Sequence, residues 1–384
     1  MWRALASNML TILIVSFLAV IALVAWGQRE FTSSGPLEAP TFFEVPRGAS
    51  LSRIAEALEE QGIISSASIF RLGAQYSELD DDLKFGNYEM PASISMQDVL
   101  ALLSEGAASS YRFVATYVIR VADAEMRLRE RIPGEDRIVE VATWTAGAEA
   151  PEVYAELVAS GTPMAFRVSV AEGVTSWQIT DALSKAEFLS GEIGPLPPEG
   201  TLAPDTYDVT RDAGRASLLA RMREAQERIL AEAWDERQSD LPVTTPEEAL
   251  VLASIIEKET SVPDERGVVS SVFVNRLREG MRLQTDPTVI YGITRGVGTL
   301  GRGIRRSELR AETPWNTYVI SGLPPTPIAN PGRDAILAAV NPDETDYIFF
   351  VADGTGGHAF AETLAEHNRN VARWREIEAE RRSN

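Results

Sequence analysis

The chain has 384 residues, enough for two or three domains, and a hydrophobic content of 45%, which excludes wholesale disorder. A formal net charge of −20 argues against nucleic acid as a partner, because an acidic surface repels phosphate backbones. The lack of cysteine excludes disulfides and thiolate chemistry, and only His358 and His367 are available for a histidine-built metal site.

The N-terminus contains an uncharged apolar run over residues 9–26, MLTILIVSFLAVIALVAW. These 18 residues are near the lower limit for crossing a bilayer, and no good small-x-small cleavage site follows them. We therefore predict an uncleaved transmembrane helix, with a cleaved signal peptide as the alternative. Arg3 predicts that residues 1–8 are cytoplasmic and that the bulk of the chain lies outside. Residues 27–40 are expected to form a linker.

One pattern, a strand end followed by a glycine turn and an amphipathic helix, occurs twice along the chain. It covers residues 45–58 (VPRGASLSRIAEAL) and residues 170–183 (VAEGVTSWQITDAL). Ser50 and Thr175 occupy equivalent places and are expected to be helix N-caps. Chance similarity is the alternative, because this unit is common.

The remaining patterns divide the chain into modules. Further helix and strand patterns follow the first copy and predict a compact α+β module over residues 41–106. Residues 107–165 are expected to be an insertion of unknown role, with strand-like alternation at 111–121 and 137–144. A long amphipathic helix over 215–236 is expected to serve packing.

A helix predicted over residues 246–260 places a carboxylate among aliphatic side chains. At ~100° per residue, Glu259 falls on the stripe formed by Leu252 and two isoleucines, whereas Glu257 falls on the flank. A carboxyl that loses hydration has a raised pKa, and a carboxyl protonated near neutral pH can act as a general acid. The alternative is a helix-end glutamate that reaches solvent or pairs with Arg276.

The loops after this helix are rich in amides, hydroxyls and aromatic rings and carry few charges. They include RLQTDPTVIYG (282–292), TPWNTY (313–318), GLPPTPI (322–328) and NPG (330–332). Amides and hydroxyls can hydrogen-bond to sugar hydroxyls, and aromatic faces stack on pyranose rings, so the pattern favours a carbohydrate ligand. The alternative is that asparagine and aspartate only form turns here.

These residues resemble a known family, the endolytic murein transglycosylases or YceG-like proteins. The matching segments are EGTLAPDTYDV (199–209), ASIIEKET (253–260), SVFVNRL (271–277), GMRLQTDPTVIYG (280–292), TPWNTYVISGLPPTPIANPG (313–332) and YIFFVADGTGGHAF (347–360). The resemblance implies an α+β catalytic domain over 166–375, a short tail over 376–384 and a LysM-like module over 41–106. Thr201 and Ala203 stand where the family usually has aromatics, which predicts the loss of a stacking contact there.

The resemblance also implies an activity. It implies a single-pass inner-membrane protein, mostly periplasmic, that cleaves the β-1,4 bond between N-acetylmuramic acid and N-acetylglucosamine within glycan strands and leaves 1,6-anhydro ends. Such an enzyme terminates nascent strands and works beside peptidoglycan synthases, the penicillin-binding proteins. It needs no cofactor or metal. One glutamate serves as acid and base, which on the helical face is Glu259, with Glu257 as second choice.

The substrate-binding residues implied for the loops share polar or aromatic side chains. They are Gln284, Thr285, Asp286, Tyr291, Asn316, Tyr318, Asn330 and His358. Two other functions stay open at this point. One is a muramidase that hydrolyses the same bond with Asp286 as second carboxylate. The other is a non-catalytic glycan-binding scaffold.

Overall fold

The computed structural model describes residues 2–106 and 110–383 as a mixed α+β fold, in agreement with the predicted class. The chain divides into two compact units, each made of several stretches of chain. The first comprises Met1–Ala115, Leu128–Ala142 and Pro151–Ala165. The second comprises Thr116–Arg127, Thr143–Ala150 and Phe166–Asn384. The boundary between the units therefore runs through several strands.

The first unit begins with a long helix followed by a small α+β module. Its elements are α1 (Trp2–Thr32), β1 (Thr41–Val45), α2 (Leu51–Glu60), α3 (Ala67–Tyr76), β2 (Gly86–Met90) and α4 (Met96–Glu105). Strands β1 and β2 pair antiparallel, with Thr41 opposite Met90. Phe43, Leu58 and Phe70 are among the fully buried side chains of its core. The helices and strands expected over residues 41–106 are thus present.

Helix α1 contains 24 residues, Met9–Thr32, that are long and apolar enough to cross a membrane. The helix does not end at Trp26 but continues to Thr32, so the first part of the expected linker is helical. The reason is packing, because Phe31 lies against Gly73 of α3 and joins the core of the first unit. The Ser65 hydroxyl also donates a hydrogen bond of 2.6 Å to Glu30.

The middle of the chain forms a five-stranded sheet. The elements are β3 (Phe113–Ile119), β4 (Ala124–Arg131), β5 (Ile138–Thr145), α5 (Glu152–Ala159), β6 (Met164–Val170), α6 (Ser176–Ser184), β7 (Leu189–Ser190), β8 (Thr206–Val209) and β9 (Ala213–Gly214). The sheet order is β5-β4-β3-β6-β8. Strand β4 was not predicted, because charged residues alternate with buried Met126 and Leu128. The expected domain boundary at residue 166 falls inside β6, and β3, β4 and β5 of the expected insertion pair within this sheet.

The C-terminal part of the second unit is mainly helical. Its elements are α7 (Arg215–Asp235), α8 (Pro246–Glu259), α9 (Arg266–Arg278), α10 (Asp286–Thr294), α11 (Arg333–Val340), β10 (Phe349–Ala352), β11 (His358–Ala361) and α12 (Leu364–Ser383). Helix α8 is central to the core, and its Leu252, Ile255 and Ile256 are fully buried. It begins after the N-cap Thr245, as predicted, and its last residue is Glu259.

The repeated strand-turn-helix pattern is confirmed in both places. Gly48 and Gly173 adopt left-handed φ angles of 73° and 76°, which glycine accepts without a Cβ clash. Ser50 caps α2 and Thr175 caps α6, each by accepting a backbone N–H bond in the first turn. The sequence similarity therefore reflects a shared local structure.

The contact between Phe31 and Gly73 gives a testable prediction. A Cβ at position 73 would lie 2.2 Å from the Phe31 ring, so Gly73→Ala should destabilise α3 by about 1–2 kcal/mol through overpacking. In a Phe31→Ala background the same change should instead stabilise α3 by up to ~1 kcal/mol, because alanine is the better helix former. Hydrogen exchange of the α3 amides in the full chain measures both effects. Stabilisation by Gly73→Ala with Phe31 present would contradict this packing.

Candidate active site

Glu259 is the last residue of α8, and the residue as a whole is partly exposed to solvent. Its Oε1 accepts a hydrogen bond from the Thr285 hydroxyl, and Oε2 receives none from the residues that the structure describes. Burial raises the pKa of Glu259, and the charge of Asp286 raises this pKa further. The Thr285 bond and the charges of His358 and Arg276 oppose this shift without cancelling it. The site therefore favours a protonated carboxyl, as the helical-face argument predicts.

The hydroxyl that contacts Glu259 belongs to Thr285, and two further buried threonines hold Thr285 in place. Thr285 is the N-cap of α10, but its side chain makes no cap hydrogen bond because the hydroxyl is directed to Glu259. Its backbone N–H donates to the Thr317 hydroxyl oxygen at 3.0 Å, and its carbonyl accepts from the Thr288 hydroxyl at 2.8 Å. The hydroxyls of Thr288 and Thr317 lie 2.9 Å apart. The start of α10 is thus held in one position relative to α8.

Exposed polar groups lie at the start of α10, next to the acid. Asp286 is exposed, and its Oδ1 accepts a hydrogen bond of 2.7 Å from the Tyr318 hydroxyl. Burial and this bond raise the pKa of Tyr318, so the phenol stays a hydrogen-bond donor. Gln284 is also exposed and has a left-handed φ of 50°, an uncommon conformation for a non-glycine residue. Its strained backbone is held by a 3.2 Å hydrogen bond from its N–H to the Thr317 carbonyl.

Two further side chains influence Glu259 by their charge. His358 donates its backbone N–H to Glu265 at 2.8 Å, and its Nδ1 lies 2.7 Å from the same carboxylate. Arg276 is buried, and its guanidinium donates to the carbonyls of Ile348 and Leu283. Among the described residues Arg276 forms no ion pair with Glu259. The ion pair between Glu259 and Arg276, which the sequence left open as an alternative, is therefore not formed among the described residues.

Two other glutamates of the second unit, Glu199 and Glu257, are partly buried, and loss of hydration is the main cause that raises the pKa of each. Glu257 lies on the flank of α8, as expected, but it accepts a 3.0 Å hydrogen bond from the Gly332 N–H at the start of α11. Glu199, which sequence reasoning did not select, accepts a 2.7 Å bond from the Ser176 N–H. Its segment resembled the family signature, but no periodic pattern there indicated a buried carboxyl.

Two of the expected substrate-binding residues hold the protein together instead. Asn316 is 0% exposed, and its amide donates to three carbonyls, the shortest at 2.7 Å to Ala311. Asn330 is also 0% exposed; it donates to the Val174 carbonyl and accepts from the Leu202 N–H, each at 2.9 Å. Neither side chain reaches solvent in this structure, and the expected contact of these two amides with a glycan stays a prediction.

Tyr291, near the end of α10, is partly exposed and also contacts other side chains of the protein. It is partly buried, its ring lies 5.9 Å from that of Trp315, and it bonds to Glu199. Burial and the Glu199 charge raise the pKa of Tyr291 to about 12. The Arg295 guanidinium lies 3.7 Å from the centre of the Trp315 ring. An aromatic surface therefore follows α10 away from Glu259.

The fold and site define a class: an α+β protein with a desolvated carboxyl at the end of a core helix, equipped to transfer a proton. The comparisons give the family. The sequence model of the YceG-like family matches residues 43–155 and 143–373. The chain therefore belongs to the YceG-like family.

Relatives named endolytic murein transglycosylase are similar over most of this chain. That of Streptococcus pneumoniae (serotype 2, strain D39) is 27% identical over 387 residues, covering 94% of this chain and 64% of the relative. That of Bacillus subtilis (strain 168) is 27% identical over 332 residues, covering 85% and 82%. A crystal structure of a yceG-like protein from Listeria monocytogenes is 26% identical, with 86% and 98% coverage and a TM-score of 0.46. The chain thus spans less than two thirds of the Streptococcus relative.

The threonine contact predicts how the pKa of Glu259 can be changed. Thr285→Val should raise this pKa, because the lost hydrogen bond stabilises the carboxylate and valine keeps the shape. A carbon-detected NMR titration of labelled glutamate measures the shift. Thr288→Val is the matched control, since its hydroxyl bonds to Thr285 and Thr317 but not to Glu259. An unchanged or lowered pKa in Thr285→Val would disprove the role of this bond.

Proposed function

We propose that this chain is a lytic transglycosylase that cleaves peptidoglycan within its glycan strands, with Glu259 as acid and base. The observation that carries the proposal is the geometry of that carboxyl: it is desolvated, bonded to one hydroxyl, and left with a free oxygen beside exposed polar loops. The printed names of the Streptococcus and Bacillus relatives support the same substrate.

The proposed reaction uses one carboxyl twice. Protonated Glu259 gives its proton to the glycosidic oxygen as the bond from muramic acid C1 to that oxygen breaks. The C6 hydroxyl of the same sugar then attacks C1, and its proton returns to Glu259 as the new C1–O6 bond forms. The product is a 1,6-anhydro end, no water is consumed, and the enzyme regains its starting protonation. A pKa raised by burial suits the first step, because the proton must be present near neutral pH.

The residues around the acid receive separate roles in this proposal. Gln284, Asp286, Tyr318 and His358 contact the glycan, since each lies in or next to the loops and charges around Glu259. Thr285 is 3% exposed, so it orients the acid rather than binding sugar.

Glu257 remains the second choice for the acid but has less support. Its carboxylate accepts the Gly332 N–H at the N-terminus of α11, where a negative charge is favourable. This contact occupies one carboxyl oxygen and lowers the pKa of Glu257 against the burial that raises it, so Glu257 is less well placed than Glu259 to deliver a proton. Glu199 is bonded to Ser176 in the same way.

A muramidase is the second candidate, because Asp286 is close enough to raise the pKa of Glu259. A hydrolase ordinarily needs such a second carboxylate to activate water or to attack C1. In the structure the Tyr318 hydroxyl donates a hydrogen bond to Asp286 Oδ1, so one oxygen of this carboxyl is already occupied. Product mass separates the two reactions, since anhydro ends are lighter by one water.

The proposed cellular setting follows from the N-terminal helix and the family. We infer that α1 anchors the chain in the inner membrane with the bulk in the periplasm. The module over residues 41–106, with two strands and three helices, is proposed to be LysM-like and to bind glycan. Beside peptidoglycan synthases, such an enzyme would terminate nascent strands.

The central prediction concerns the two glutamates of α8. Glu259→Gln should keep the fold and glycan affinity but lower cleavage by at least ~10²–10⁴-fold, because glutamine cannot donate the proton. Glu257→Gln should be milder. Digestion of purified sacculi followed by muropeptide mass spectrometry measures both, and it shows whether wild-type products are anhydro or hydrated. If Glu257→Gln is inactive and Glu259→Gln still releases anhydro-muropeptides, the roles must be exchanged. If neither cleaves less than wild type, the acid lies elsewhere.

The anchor gives a prediction about topology. Reporter fusions to the C-terminus should show exposure outside the cytoplasm, and the isolated protein should retain its N-terminal residues, because an uncleaved span stays attached. N-terminal analysis of the membrane fraction provides the measurement. Recovery of a mature chain that begins after Trp26 would replace the anchor by a signal peptide.

A further inference from the structure

The second unit contains a cavity outside the site around Glu259. It has a volume of about 430 Å³. Residues of α6, of the turn between β3 and β4, and of the loop after α10 line it, among them Trp177, Asp181, Lys185, Arg120, Gly298 and Thr299. Trp177 is partly buried, so its indole forms part of the wall while it remains accessible.

Two hydrogen bonds of 2.7 Å hold the walls of this cavity together. The Gln178 amide donates to the Val121 carbonyl and ties α6 to the turn after β3. The Thr175 hydroxyl donates to the Gly296 carbonyl and ties the start of α6 to the loop after α10. Both donors are largely buried. The cavity is therefore preformed, which lowers the entropy lost when a ligand binds.

The charges of the lining are neutralised in pairs. Lys185 Nζ lies 2.6 Å from Asp181, and Arg120 Nε lies 2.8 Å from Asp123. The cavity thus offers an aromatic surface and hydrogen-bonding groups without an unpaired cation for a phosphate. This combination suits a neutral sugar, whose C–H face packs on an indole while its hydroxyls meet the polar rim.

Helix α10 relates this cavity to the acid. Thr285 at its N-terminus contacts Glu259, and Gly296 just beyond its C-terminus is bonded to Thr175 at the cavity. The helix has nine residues and so a length of about 13 Å at ~1.5 Å per residue. A glycan of a few sugar residues covers this separation. Trp315 lies beside Gly292 in the last turns of α10, and the guanidinium of Arg295, the C-cap residue of this helix, packs on its ring.

We propose that the Trp177 cavity is a distal subsite for the glycan strand that Glu259 cuts, with the indole as a stacking surface for one sugar. The proposal rests on the proposed function and extends it. It makes strand length a determinant of binding, because a short glycan fills the groove at Glu259 without reaching Trp177. A strand that occupies both the Trp177 cavity and the site at Glu259 would present an internal bond to Glu259, as cleavage within a strand requires.

Binding of purified glycan strands without stem peptides tests the proposal, using the full-length chain in detergent in a Glu259→Gln background. Trp177→Ala should weaken long strands about tenfold, the effect of losing one aromatic surface, and leave short strands unchanged. Trp177→Phe should restore most of the affinity. Thr299→Trp, which fills the cavity from an exposed position, should weaken long strands without removing Trp177.

Leu196→Ala is the control, because this side chain is 57% exposed and lines a separate proline-walled groove. Unchanged long-strand affinity in both Trp177→Ala and Thr299→Trp, an equal loss for short strands, or no affinity for long strands at all would each overturn the subsite. Cleavage assays of wild type and Glu259→Gln are read separately. They decide the proposed function, whereas the length dependence of binding decides the subsite.

Discussion

The hydrogen bond from Thr285 to Glu259 is the interaction on which the rest of the site depends. It joins the last residue of α8, a helix fixed by the core, to the first turn of α10. Thr285 could have capped α10 with the same hydroxyl, as N-cap threonines usually do. Helix α10 lacks this capping hydrogen bond, and hydrogen bonds of Thr285 with Thr317 and Thr288 hold its first turn instead. The N-terminus of α10 loses the stabilisation of a side-chain cap, and the carboxyl of Glu259 gains a fixed orientation.

Burial alone does not distinguish the proposed acid from the other carboxyls of this protein. Glu199, Glu257 and Glu259 all have raised pKa values, and burial is the largest cause in each. What differs is the partner: two of them accept backbone N–H groups, whose dipoles stabilise an anion, and Glu259 accepts only a hydroxyl. A carboxyl with a weak, neutral partner and an open oxygen keeps a proton that it can give away.

Helical and strand periodicity determined how much of the fold and of the candidate site could be predicted from the sequence. The position of Glu259 on the apolar stripe of α8 follows from helical geometry, which depends only on neighbours in the chain. The burial of Asn316 and Asn330 does not, because carbonyls of distant or irregular segments surround them, and a loop asparagine looks the same whether buried or exposed. Strand β4 was missed for a related reason, since its charged side chains concealed the buried alternation of Met126 and Leu128.

The order of the site along the chain has a consequence for synthesis. Glu259 leaves the ribosome well before Tyr318, and His358 follows later still, in the hairpin of β10 and β11. Chains are made from the N-terminus, and contacts between distant residues form only after both have emerged. A growing chain that already carries Glu259 and Thr285 therefore still lacks Thr317, which holds Thr285, and His358, whose charge acts on Glu259. The surroundings that tune the pKa of Glu259 are therefore completed only after the hairpin of β10 and β11 has been made.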